Sequence, residues 1–164
     1  MRKVINGNVY LYDLYLTELP DLSDIDVIGW FGCQDNNLTS LNGAPKTVTS
    51  DFACSNNNLT SLEGAPQIVE GSFFCRDNNL TSLKGAPQIV EGAFFCINNN
   101  LTSLEGAPQI VKDDFSCYDN KLTSLEGIPK TVHNNFYIDN ALRDKFPEEY
   151  IRSLSDIKGN VLYI

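Results

Sequence analysis

The chain has 164 residues, 42% of them apolar and 20% charged, the proportions of a globular domain, which argues against disordered, collagen-like and membrane-embedded classes. That length suits one domain, since two would each be short of a core. The net charge is −9 and the 12 basic residues, Arg2-Lys3 apart, are scattered singly among 21 acidic ones; displacing counterions from phosphates needs clustered cations, so neither nucleic acid nor an anionic membrane is an expected partner.

The opening, MRKVINGNVYLYDLYL, carries two basic residues, but Asn6, Gly7, Asn8 and Asp13 interrupt every apolar run. No leader core or spanning helix can be drawn there, and a soluble, unsecreted protein is expected. Within it, Asn6-Gly7 between apolar residues is a turn signal and predicts a short hairpin that shields a sheet edge. Val9, Leu11, Leu14, Leu16 and Leu19 then form a degenerate repeat, read as an N-terminal cap, with Leu14 where later units carry Asn. This first unit is assigned to residues 1–29.

Residues 30–135 hold one phrase five times: FGCQDNNLTSLNGAP, FACSNNNLTSLEGAP, FFCRDNNLTSLKGAP, FFCINNNLTSLEGAP and FSCYDNKLTSLEGIP. Cys33, Cys54, Cys75, Cys96 and Cys117 mark its period of 21. Phe and Cys alternate with variable residues at period two, the pattern of a strand with one buried face. Phe73 and Cys75 should point in, Phe74 and Arg76 out. Each strand is followed by an Asn (Asn36, Asn57, Asn78, Asn99, Asn120), whose amide can satisfy backbone that has turned out of the ladder, so a buried asparagine ladder is expected. In L-x-G-A-P-x-x-V, Gly and Pro exclude a regular helix and predict extended or turn structure on the back of the coil. A single coil cannot offset the entropy of ordering its own backbone, and only stacking closes the gap.

This phrase resembles the leucine-rich repeats, whose L-x-L-x-x-N-x-L core it matches with Phe and Cys at two leucine positions, and the likeness covers about residues 9–143. It is most similar to the short, helix-poor repeats of bacterial effectors and of phage and bacterial proteins. The resemblance implies a mainly β, right-handed solenoid with a concave parallel sheet that binds a partner.

At the C-terminal end, residues 136–164, Phe136 and Ile138 continue the strand while Ala141 and Arg143 replace the Asn and Leu, so the array terminates. FPEEYIRSLSDIKG has a Pro near a helix start, acids in the first turn and Gly159 as a stop. Its stripe of Tyr150, Ile151, Leu154 and Ile157 predicts an amphipathic capping helix, followed by a strand from Val161 to Ile164.

Chemistry finds little footing. His133 is the only histidine and sits on the variable back of a coil, while Asp113 and Asp114, adjacent on a strand, face opposite sides. A straight row of cysteines cannot surround a metal ion tetrahedrally, and parallel Cβ vectors have the wrong torsion for disulfides. A reduced, buried thiol ladder is expected, which points to the cytoplasm, or the host's cytoplasm if the protein is viral. The N-L-T matches at Asn37, Asn58, Asn79 and Asn100 are read as repeat punctuation. No enzyme activity, cofactor or metal is expected.

Function should lie in the outward strand residues. Trp30, Phe74, Arg76, Phe95, Ile97, Tyr118 and Tyr137 form the expected docking set, with Asp35, Asp51, Asp77, Asp114 and Asp119 as an acidic rim. The expected partner is a protein with an apolar protrusion among basic residues, bound by an inhibitor of phage or bacterial type. The alternative is a self-associating structural or assembly protein.

Overall fold

In a computed structural model, which describes residues 3–164, the chain winds into a β-solenoid of eight coils. Met1 and Arg2, which open the expected first unit and the stretch read for a leader, lie outside the described residues. Each coil lays down one strand on a back sheet and, past a corner, one on a front sheet. The pairs are β1 (Lys3–Asn6) and β2 (Val9–Tyr10), β3 (Ile25–Ile28) and β4 (Phe31–Gly32), β5 (Thr47–Val48) and β6 (Phe52–Ala53), and β7 (Ile68–Val69) and β8 (Phe73–Phe74). They continue with β9 (Ile89–Val90) and β10 (Phe94–Phe95), β11 (Ile110–Val111) and β12 (Phe115–Ser116), β13 (Thr131–Val132) and β14 (Phe136–Ile138), and β15 (Asp156–Ile157) and β16 (Val161–Tyr163). All pairing is parallel between successive coils, giving two eight-stranded sheets.

The core lies between the sheets, where like residues form rows. Six phenylalanines from Phe31 to Phe136 are fully buried, and successive rings lie 5.0 to 5.6 Å apart. Ring pairs at this spacing add about 0.5–1.5 kcal/mol beyond burial, so every coil is held by its neighbours. Opposite them run a valine row on the back sheet and two leucine rows, Leu80 and Leu83 in the central coil.

Two features turn the chain at its corners. Asp35, Asn56, Asp77, Asn98 and Asp119 adopt left-handed backbone with φ of 52° to 56°, a conformation that Asn and Asp tolerate better than other side-chain-bearing residues. Gly85, in the L-x-G-A-P arc, has φ +99°, and a Cβ there would collide with the Leu62 carbonyl of the previous coil.

Both ends differ from expectation. The hairpin predicted at Asn6-Gly7 does not form: β1 pairs with β3 and β2 with β4, in different sheets. Gly7 turns a coil corner, and this routing extends both sheets by one strand, whereas a hairpin would shield one edge at most. The capping helix is shorter than its stripe: α1 spans Glu148–Leu154, Ser155 is extended, and Ile157 joins the back sheet opposite Val132. Arg152 holds the segment after the helix by donating to the carbonyls of Ile157 (2.7 Å) and Gly159 (2.8 Å). Only Ile151 of the helix is buried, while Tyr150 and Leu154 remain exposed. In chain order α1 replaces the L-x-G-A-P arc, and the last coil closes with β16 paired to β14.

Candidate docking face on the front sheet

The strand corner fixes where front-face side chains point. Asn78 is buried; its Nδ2 donates to the carbonyls of Cys54 (3.1 Å), Cys75 (3.3 Å) and Arg76 (3.2 Å), and its Oδ1 accepts from the Leu59 N–H (3.0 Å). Asn57, Asn99 and Asn120 repeat the pattern. Asn36 reaches the degenerate first repeat, accepting from Leu14 and Leu16 and donating to Leu11, so a backbone amide of Leu14's coil is satisfied without an asparagine there. Cys33, Cys54, Cys75, Cys96 and Cys117 are all free and buried. The Cys75, Cys96 and Cys117 thiols donate to carbonyls of the next coil at 3.3 to 3.4 Å. Burial pushes the Cys33 thiol up to about 12 and the others also upward, so in the fold they are neutral donors rather than nucleophiles.

On this frame the outward residues form three columns. The middle one reads Tyr10, Gly32, Ala53, Phe74, Phe95, Ser116, Tyr137 and Leu162 across the coils. Phe74 and Phe95 are half-buried and stacked, with centroids 5.4 Å apart and planes at 10°. With Arg76, Ile97 and Tyr118 they line a shallow groove of about 350 Å³. Arg76 is exposed and faces the Asp77 carboxylate at 3.7 Å. Tyr137 stands one strand past Tyr118's coil, paired with Ser116, and is not in the groove wall.

Trp30 belongs to a second cluster. Its indole packs against Tyr10 at 5.2 Å and Tyr12 at 6.1 Å and lies over Gly32, where any Cβ would collide with it. Gly32, Ala53 and Ser55 separate this cluster from the groove. Sequence reasoning missed Tyr10 and Tyr12; their period-two spacing in VYLYD was the available signal.

Much of the acidic rim has a structural task. Asp51 and Asp114 each accept the backbone N–H of the equivalent residue one coil on, Ser72 at 2.7 Å and Asn135 at 2.9 Å. Asp35 and Asp77 accept from the Asn56 and Asn98 amides at 2.8 and 2.7 Å. From Asp35 to Asp119, Asp and Asn alternate from coil to coil at this corner; only at the start of the row do two carboxylates neighbour each other, Asp13 (φ 54°) beside Asp35. The acids surround the groove, but each belongs first to a corner. His133 is exposed after β13, and Asp113 and Asp114 serve separate ladders, Asp113 accepting from Asn134.

Comparison with known proteins returns no match: no family model, no curated protein and no solved structure aligns with the chain. Among the described residues no helix is long and apolar enough to cross a membrane.

Proposed function

We propose that this chain is a protein-binding module of the leucine-rich-repeat kind, right-handed, with its front sheet as the concave docking face. The 21-residue period, the asparagine ladder and the parallel sheet support the kinship. One observation carries the function: the stacked Phe74 and Phe95 rings stand in a column where the same fold accepts Gly32, Ala53 and Ser116. Folding does not require large aromatics there, and exposing apolar surface costs solubility unless a partner covers it. Aromatic side chains beside an Arg are the usual anchors of protein interfaces.

The partner is a protein whose apolar protrusion enters the groove and whose basic flanks meet Asp77, Asp119 and the net negative charge. Occupying that surface is the activity, as an inhibitor of phage or bacterial type would act, and no reaction is read into the site. Buried reduced thiols favour the cytoplasm. Affinity capture from the expressing cell, with wild type and Phe74→Ala/Phe95→Ala as parallel baits, tests the reading. A protein retained by the wild type and lost by the variant, which still melts in one cooperative transition, is the expected result; equal capture by both baits contradicts the site.

A further inference from the structure

The back sheet carries a second apolar surface. Its outward column reads Thr47, Ile68, Ile89, Ile110 and Thr131 over five coils, framed by Lys46, Gln67, Gln88, Gln109 and Lys130 on one side. On the other side stand Thr49, Glu70, Glu91, Lys112 and His133. Ile68 and Ile89 are 47% and 44% exposed, more than either groove phenylalanine, and with Gln67, Glu70, Gln88 and Glu91 they line an open depression of about 570 Å³. The solenoid does not need them, because Thr47 and Thr131 occupy the same column in identical backbone pairing. Three isoleucines bounded at both ends by Lys-Thr form a patch with defined limits.

We infer that this stripe is the contact face of a homodimer, two copies packing back to back about a twofold axis parallel to the solenoid axis. That operation keeps the coils level and reverses the strand direction, so the isoleucine columns meet and each glutamine column faces the other copy's charged column. Gln67 then opposes Glu70, and Gln88 opposes Glu91, each amide donating to a carboxylate; the Gln109 carbonyl opposes the Lys112 ammonium. Lys112 already holds Glu91 within its own chain at 2.6 Å, which leaves the other carboxylate oxygen for Gln88. The competing dyad, along the strands, gains Glu70 against Lys112 but sets Lys46 against Lys130 and Glu91 against its own copy, so like-charge oppositions outnumber opposite ones, whereas the first dyad opposes no like charges. The polar frame therefore selects a second copy of this chain in one orientation. A stable interface needs about 1,000 Å² in total. A stripe three coils long reaches that only with its flanking columns, so assembly depends on concentration. Because the two sheets face opposite ways across the core, the dimer displays two front faces outward; that bivalence, unlike the dimer itself, rests on the front-face reading.

Sedimentation velocity on the full chain from micromolar to millimolar concentration tests this. Wild type should rise to twice the mass of one chain, and Ile68→Thr/Ile89→Thr/Ile110→Thr, which installs the residue of the bounding coils, should stay at one while keeping its melting transition. Gln67→Glu/Gln88→Glu sets carboxylates against Glu70 and Glu91 and should weaken the dimer at least about tenfold at low salt, with recovery as salt screens the pair. Phe74→Ala/Phe95→Ala should leave the mass unchanged, so failure of the front site and of the dimer are told apart. A wild type that stays monomeric, or a dimer that survives the threonine variant, overturns the proposal; a dimer indifferent to the glutamates overturns its orientation.

Discussion

Asn78 shows how one side chain can hold a corner. Its amide meets three carbonyls and an N–H from two coils; the carbonyls of Cys54, Cys75 and Arg76 each accept from one further donor, Asn57, Asn99 and the Asn56 N–H, whereas the Leu59 N–H is held by Asn78. Replacing it with Ala strands the buried Leu59 N–H and removes one of two donors from each carbonyl, and chemical denaturation should show a loss of about 1–3 kcal/mol, whereas a neutral result would mean that water reaches the corner. This role was legible in the sequence, because an Asn repeated at one place after a strand has few other uses. The residue before it was not. Asp35, Asp77 and Asp119 read as exposed charge, yet their left-handed backbone makes them corner residues, and Asn56 and Asn98 alternating with them was the overlooked sign.

Among the elements, the front strands were the most legible, because Phe-x-Cys alternation specifies a strand and its buried face together. The back strands were seen only as extended chain: a two-residue strand carries too little periodicity to separate it from a turn. The end elements were misread where a local signal competed with the stack. Asn6-Gly7 has the chemistry of a hairpin, but pairing with the next coil satisfies both sheets. The helical stripe of Tyr150, Leu154 and Ile157 yields at Ile157, which the back sheet claims. The L-x-G-A-P arc obeys the same logic. Gly85 sits against the preceding coil with φ +99°, so Gly85→Ala should cost about 1–2 kcal/mol from backbone conformation alone and more from the clash at Leu62. A melting temperature equal to that of the wild type would show that the arcs are loosely stacked.

At the scale of the molecule, stacking in register turns a repeated sequence into rows, and each row is either required by the fold or free of it. The core rows of Phe, Val, Leu, Cys and Asn are required. The outward columns are free, since one column accepts glycine, alanine, serine and phenylalanine in the same pairing, and another accepts threonine and isoleucine. Residues that expose apolar surface in a free column mark the surfaces for which a partner is proposed here. The front groove was legible because the strand pattern separates inward from outward. Tyr10, Tyr12 and the isoleucine stripe were not, because they lie in a degenerate coil and on a sheet whose faces the sequence left unassigned.

Neighbouring phenylalanines on β8 put this division to its most direct test. Equilibrium denaturation of Phe73→Ala should show a loss of about 3–5 kcal/mol, the cost of emptying a packed core site, while Phe74→Ala, which gives up a half-buried ring and its stack on Phe95, should lose only about 1–2 kcal/mol. Comparable losses from the two, or the larger one from Phe74, would contradict the account.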